Sequence, residues 1–254
     1  LYAGRMNIGV YQSAASLSAL ERWQDAVTQN ISASQVSGFK RRTVQIDGQQ
    51  SGELLYGANM RPDQGDGRAA IFPAVRYGVA FSAGEIQPTR RDLDFAIMGD
   101  GFFNVRMPDG ATGYTRSGQL QIRPDRTLIT SQGLEILNEI GQPLQLAPEG
   151  GPLTVDAQGN LMQGDVQLGQ LAVTRFDNPE QLLPMANGLF VAAPGAGGQP
   201  AEKAGVLQGH IESSNIQPLQ EMVHLVNIAR AYEANQKIIQ TRDQMLQRTL
   251  DAVS

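Results

Sequence analysis

At both ends of this chain, apolar residues recur in alternating steps of three and four. From Met6 the count passes Val10, Leu17, Leu20, Val27 and Ile31, with Ser13 and Gln24 as polar interruptions. From Met222 it passes Leu225, Ala229, Tyr232, Gln236, Ile239, Leu246 and Leu250, broken by Asp243. Such steps line one face of a helix, and a sustained 3.5-residue period favours a second helix as partner. The punctuation agrees. All prolines lie from Pro62 to Pro218, and nearly all glycines from Gly38 to Gly209. The pattern predicts one helix over 6–32, stopped near Gly38, and another over 219–250, opened by Pro218 with Glu221 in its first turn. The second would be roughly 48 Å long at 1.5 Å per residue, too long for one small domain. Both ends are therefore expected to associate. The polar seam positions either fix register at a cost in stability or face a solvated channel.

Between the helices the text changes. Residues 43–87 lack firm periodicity, and Gly48, Gly52, Gly57, Pro62, Gly65, Gly67 and Pro73 predict an irregular or extended connector. From Leu93 onward, short apolar runs alternate with turn residues. Phe95-Ala96-Ile97-Met98 meets Gly99-Asp100-Gly101 and then Phe102-Phe103-Asn104-Val105, while Leu128-Ile129-Thr130 meets Ser131-Gln132-Gly133. Runs at this spacing predict an all-β domain over 88–210. The expected class is α+β. Long terminal helices (1–42 and 211–254) form a coiled-coil-like pair around a hairpin-rich β-domain, either sandwich or irregular barrel.

Composition narrows the function. The chain has 254 residues, 41% of them hydrophobic and only 6% aromatic, which suits turn-rich β-structure. A net charge of −5 makes no electrostatic case for nucleic acid. The absence of cysteine excludes disulfides and thiolate metal sites. No stretch approaches the ~20 apolar residues of a membrane span. Ser13, Ser16, Ser18, Glu21 and Arg22 interrupt any signal-peptide core, so export without a cleaved signal is expected.

Candidate chemistry is sparse. His210 and His224 are separated by a strand-to-helix change and read as surface or packing residues rather than metal ligands. Gly99-Asp100-Gly101 lacks the three spaced glycines of a dinucleotide loop and reads as a hairpin turn with positive φ. Lys40-Arg41-Arg42 has no interleaved aromatics and follows a helix end, where cations favour the dipole. Asp92 and Asp94 have no marked nucleophile or cleft beside them. No enzyme, cofactor, metal or small-molecule substrate is expected.

Several motifs, taken in order, resemble the bacterial flagellar rod and hook family, in particular the basal-body rod proteins FlgF and FlgG. Gly38-Phe39-Lys40, with Asn30 before it, fits the motif closing the family's first helix. The middle match runs through Leu93-Asp94, Gly99-Asp100-Gly101-Phe102-Phe103 and Tyr114-Thr115-Arg116-Ser117-Gly118. The C-terminal match is dense: Leu207-Gln208-Gly209, Glu212-Ser213-Ser214-Asn215-Ile216, and Arg230-Ala231-Tyr232-Glu233-Ala234-Asn235-Gln236-Lys237. Three departures stand out. Gln29-Asn30-Ile31-Ser32-Ala33 replaces the usual Asn-Asn-Leu-Ala-Asn, Arg126 stands where a turn glycine is usual, and Arg90-Arg91 replaces a glycine-containing turn.

The resemblance implies a structural rod subunit in the periplasmic part of the basal body. It would polymerise with itself and other rod and hook proteins, after leaving through the flagellar type III export apparatus. The distal-rod type carries a Gly-rich run before its β-domain, to which only Tyr77-Gly78-Val79 corresponds here, so the proximal type is favoured. A distal subunit, or a non-flagellar scaffold reusing the fold, is the alternative. The expected assembly residues are Val10, Leu17, Leu20, Trp23, Val27, Asn30, Ile31, Gly38 and Phe39 at one end. At the other they are Asn215, Met222, Leu225, Ala229, Tyr232, Asn235, Ile239, Leu246 and Leu250. Gly99, Asp100, Gly101, Phe102 and Phe103 are the expected turn and core of the β-domain.

Overall fold

Period-two alternation and abrupt turns build the middle of the chain. The computed structural model describes residues 3–50, 71–148, 150–156, 158–201 and 204–251, and their side chains except at 3–10, 49–50, 71, 246 and 249–250. Strands such as Leu128–Thr130 and Asn160–Gln163 alternate buried and less buried side chains, as one-sided sheets require. Ser32–Arg41 and Val79–Gln217 form one compact unit. Its largest sheet is antiparallel, in the order Leu182–Pro184, Leu189–Ala192, Thr112–Thr115, Phe102–Arg106, Glu135–Ile136, Leu128–Thr130, Leu120–Ile122. Val173–Phe176 joins it beside Phe102–Arg106 and carries Gly198–Pro200 on its far side. A three-stranded sheet (Leu153–Val155, Asn160–Gln163, Val166–Gln170) and two strand pairs complete the unit. One pair is Phe95–Met98 with Gly205–Gln208, the other Ile86–Pro88 with His210–Glu212.

Two cores fill this unit. Phe95, Ile97, Phe103, Val105, Leu120, Leu128, Ile136 and Leu161 belong to the larger. Phe102, Phe176, Leu182 and Phe190 belong to the smaller, where Phe102 meets Phe176 and Phe190 edge-on. Adjacent Phe102 and Phe103 thus serve different cores because successive strand residues point to opposite faces.

The second unit contains α1 (Ala3–Ser32), β1 (Arg42–Gln50) paired with β2 (Ile71–Val79), and α2 (Pro218–Asp251). Residues 43–87, expected as connector, thus include most of a strand pair, while residues 51–70 lie outside those described.

The expected class needs correction. Among the described residues the fold is mostly β with two helices, and no coiled-coil-like pair runs along them. The helices share one short cluster, in which Leu20, Val27 and Ile228 are buried beside Trp23, Ile31, Leu225, Ala231 and Tyr232. The phase of the α2 pattern explains the difference. Its less exposed stripe runs Glu221, Leu225, Ile228, Tyr232, Asn235, Ile239, while Met222, Ala229 and Gln236 face solvent. Two of those six positions are polar, so counting apolar residues locates the stripe one position away.

Arg90 (φ 59°) and Arg126 (φ 68°) both occupy the left-handed region, which favours glycine. A side chain there costs roughly 1–2 kcal/mol, against about 0.5–1 kcal/mol for the greater freedom glycine loses on folding. Arg126→Gly is therefore expected to stabilise the protein by up to about 1 kcal/mol. Arg126→Ala should gain nothing, since it keeps the Cβ. Urea midpoints of the two variants and wild type measure the difference, and equal midpoints for both variants would contradict the argument.

Candidate functional site

Three charged side chains from distant parts of the sequence meet inside the β unit. Glu212 ends the strand His210–Glu212, Arg116 follows the strand Thr112–Thr115, and Lys40 lies in the segment after α1. All three are buried, at 1%, 5% and 4% exposure. Lys40 Nζ donates to Glu212 Oε1 at 2.6 Å and to the Ser82 carbonyl at 2.9 Å. Arg116 Nε donates to Glu212 Oε2. The Gly84 amide donates to Oε1 at 2.8 Å.

The loop Gly99-Asp100-Gly101 completes the arrangement. Arg116 Nη2 donates to the Ile97 and Gly99 carbonyls at 3.1 and 2.5 Å, and Nη1 donates to Gly101. The expected hairpin is corrected here. Gly99 and Gly101 do take positive φ (89° and 146°), but the flanking strands pair with other partners. The loop instead turns carbonyls onto a guanidinium. Gly38 permits the close approach on the opposite side. At φ 68°, a Cβ there would stand 2.4 Å from the Arg116 carbonyl carbon. The Gly38 amide and the Ser37 hydroxyl both donate to the Glu212 carbonyl, at 2.8 and 3.1 Å.

Burial alone would raise the Glu212 carboxyl, but the charges and hydrogen bonds of Arg116 and Lys40 outweigh it and hold the group below its ordinary range. Burial pushes the Lys40 ammonium down, only partly offset by Glu212, and Arg116 lowers it further. One buried anion faces two buried cations, and backbone carbonyls supply the remaining compensation.

Two asparagines do comparable work. Asn215 accepts from the Arg41 amide at 2.7 Å and donates to the Ala80 and Ser82 carbonyls at 2.7 and 3.0 Å. In the helical unit, Asn30 accepts from the Arg42 amide at 2.8 Å and donates to the Arg42 carbonyl and to Glu221 Oε2, at 2.9 and 3.1 Å. Both residues, expected at assembly contacts, are engaged within the chain.

The other expected positions divide. Leu20, Val27, Trp23, Ile31, Leu225 and Tyr232 meet in the helix cluster. Leu17 and Ile239 are half-buried, and Met222 and Ala229 are exposed. Phe39 is buried in the β unit. The side chains of Val10, Leu246 and Leu250 lie outside those described. His224 rests against Trp23 (ring centroids 5.8 Å apart), and His210 Nδ1 sits 2.7 Å from the Gln208 carbonyl. Asp92 is exposed, whereas Asp94 is buried with Arg91 at 3.8 Å. Lys40, expected among the cations that favour a helix end, is instead buried against Glu212, and the motifs holding Arg116 and Glu212 carry no assigned role in the sequence. The available signal was a charged residue in each of three separate motifs.

Residues 207–252 match the family model for the flagellar basal body rod FlgEFG protein C-terminal region, and residues 96–163 match the FlgE/F/G hook protein D1 domain. The flagellar basal-body rod protein FlgG of Borreliella burgdorferi is 30% identical over 93% of this chain and 95% of its own length. FlgF of Caulobacter vibrioides is 30% identical, covering 92% and 93%. FlgG of Buchnera aphidicola subsp. Acyrthosiphon pisum is also 30% identical, covering 93% and 96%. All three motifs of the ionic cluster belong to the resemblance read from sequence.

Glu212→Gln leaves two buried cations without their anion and is expected to cost about 3–5 kcal/mol. Lys40→Met leaves a neutral Arg116–Glu212 pair and should cost less. Chemical denaturation ranks the two, and the reverse order would refute this charge balance. Glu212 has a depressed folded-state pKa, so its contribution is complete above its unfolded value of about 4.5 and is lost as pH falls through the lower folded value. Wild type should lose stability over that acid window more steeply than Glu212→Gln.

Proposed function

Because this chain belongs to the family of flagellar basal-body rod proteins, a structural and non-enzymatic family, we propose that it polymerises through its helices into the rod. One observation carries this reading. On α2, Leu219 (77% exposed) and Met222, Val223 and Val226 (each 52%) form an i, i+3, i+4, i+7 stripe on the face opposite Leu225 and Ile228. A helix apolar on two faces serves two neighbours, one within its own unit and one outside it. Head-to-tail stacking through such a face generates an open helical array when the rotation between neighbours does not close into a ring. The neighbours are copies of this chain and other rod and hook proteins. We favour the proximal rod, because the Gly-rich run of the distal type has no full counterpart here. Delivery through the flagellar type III apparatus into the periplasmic part of the basal body follows from the same reading.

Val223→Asp and Val226→Asp test it. Each apolar side chain buried at a contact contributes about 1.5–3 kcal/mol, and a carboxylate in its place adds a desolvation cost. Both variants should melt like wild type yet fail to restore swimming in a deletion strain. Leu225→Asp is less informative, because Leu225 packs inside the chain's own helix cluster. Normal swimming with both exposed-face variants would refute the proposal.

A further inference from the structure

Above the ionic cluster lies a cleft of about 370 Å³, lined by Lys40, Arg116 and Arg175 with apolar walls from Phe81, Phe102 and Phe176. Its charge is uneven in depth. Arg175 is paired with Asp177 at 3.1 Å, and Asp177 also accepts from Gln199. Asp100, the other carboxylate on the lining, is exposed, where water and salt screen it. Lys40 and Arg116 are buried against a single buried anion, Glu212, and their field is screened far less.

The donors are uneven too. An ammonium has three N–H groups and a guanidinium five. Lys40 uses two, on Ser82 and Glu212. Arg116 uses four, on Glu212, Gly101, Ile97 and Gly99. Each thus retains one donor with no acceptor among the described residues, and Arg175 keeps its Nε and Nη1 donors. A cationic ligand would meet three cations, two of them poorly screened. An anion would balance the buried excess and accept from the remaining donors.

We propose that this cleft binds a carboxylate carried on an apolar group. The carboxylate lies toward Lys40, Arg116 and Arg175, and the apolar part lies against the phenylalanine walls. Two sources share that chemistry: an acidic side chain beside an apolar one on a protein partner, and a free organic acid. The site lies wholly in the β unit, so its test is independent of polymerisation through α2.

The experiment titrates the full chain with sodium phenylacetate, and separately with neutral phenylacetamide, at constant ionic strength. Binding is followed by the backbone amide signals of Gly99 and Gly101. The acid should bind saturably and at least about tenfold tighter than the amide, the scale of one charge-assisted hydrogen bond. Arg175→Gln alters a half-exposed rim residue, and Lys40→Met leaves the Arg116–Glu212 pair neutral. Each should weaken the acid by about tenfold or more and leave the amide unchanged. Equal response to acid and amide, or unaltered acid binding in folded Arg175→Gln, overturns the proposal. A capped acetyl-Phe-Glu-amide separates the sources: tighter binding than phenylacetate assigns the site to a protein partner, and weaker binding to a free acid.

Discussion

Glu212 is buried, charged and shared, and much of the β unit is arranged around those three facts. A carboxylate taken out of water has to be surrounded by donors, or it destabilises the fold by several kcal/mol. Here the donors come from positions 172 and 96 residues away in the chain, Lys40 and Arg116, and from the Gly84 amide. Arg116 in turn needs acceptors, and the Gly99-Asp100-Gly101 loop provides them. The consequence is topological. The unit is divided into one large sheet and several small ones, and the ionic cluster draws loops from several of these together at one point. An apolar contact would tolerate a shifted register. A carboxylate with fixed donor directions does not.

Polar groups and apolar faces divide the work of the molecule. Asn30 and Asn215 use their carboxamides within their own units, where each mimics a backbone partner for chain that has left regular structure. The face proposed for association is apolar and lies on α2. There a single helix has a partly buried stripe and an exposed one on opposite faces. Within the chain, directional bonds thus specify geometry beside the apolar cores, whereas the proposed polymer contacts rest on area, which tolerates the small adjustments of stacking subunits.

Arg90 and Arg126 hold left-handed backbone at a local energetic cost. Both sit in turns and retain backbone hydrogen bonds, Arg90 to Gly209 and Arg126 to Arg123, so the surrounding strands hold them in a conformation that their own side chains disfavour. Nothing in the structure explains why arginine rather than glycine occupies either turn.

The two helices, the β-rich middle and the family were all legible in the order of residues. Each depends on short-range pattern: apolar period, turn residues and contiguous motifs. The same pattern also put Leu20, Val27, Leu225 and Tyr232 on apolar helix faces, because helical spacing is local geometry, but pointed those faces to assembly contacts, whereas the four meet in a cluster within the chain. Tertiary structure alone decided which α2 stripe is sheltered, since the register includes half-buried Asn235 and Glu221, which is buried with Asn30, a partner far away in sequence, donating to it. It likewise decided that Gly99-Asp100-Gly101 encloses a guanidinium rather than closing a hairpin. The union of Lys40, Arg116 and Glu212 was invisible for the same reason. A charged residue in a sequence reads as solvated, and only the meeting of opposite charges in the folded chain makes its burial possible.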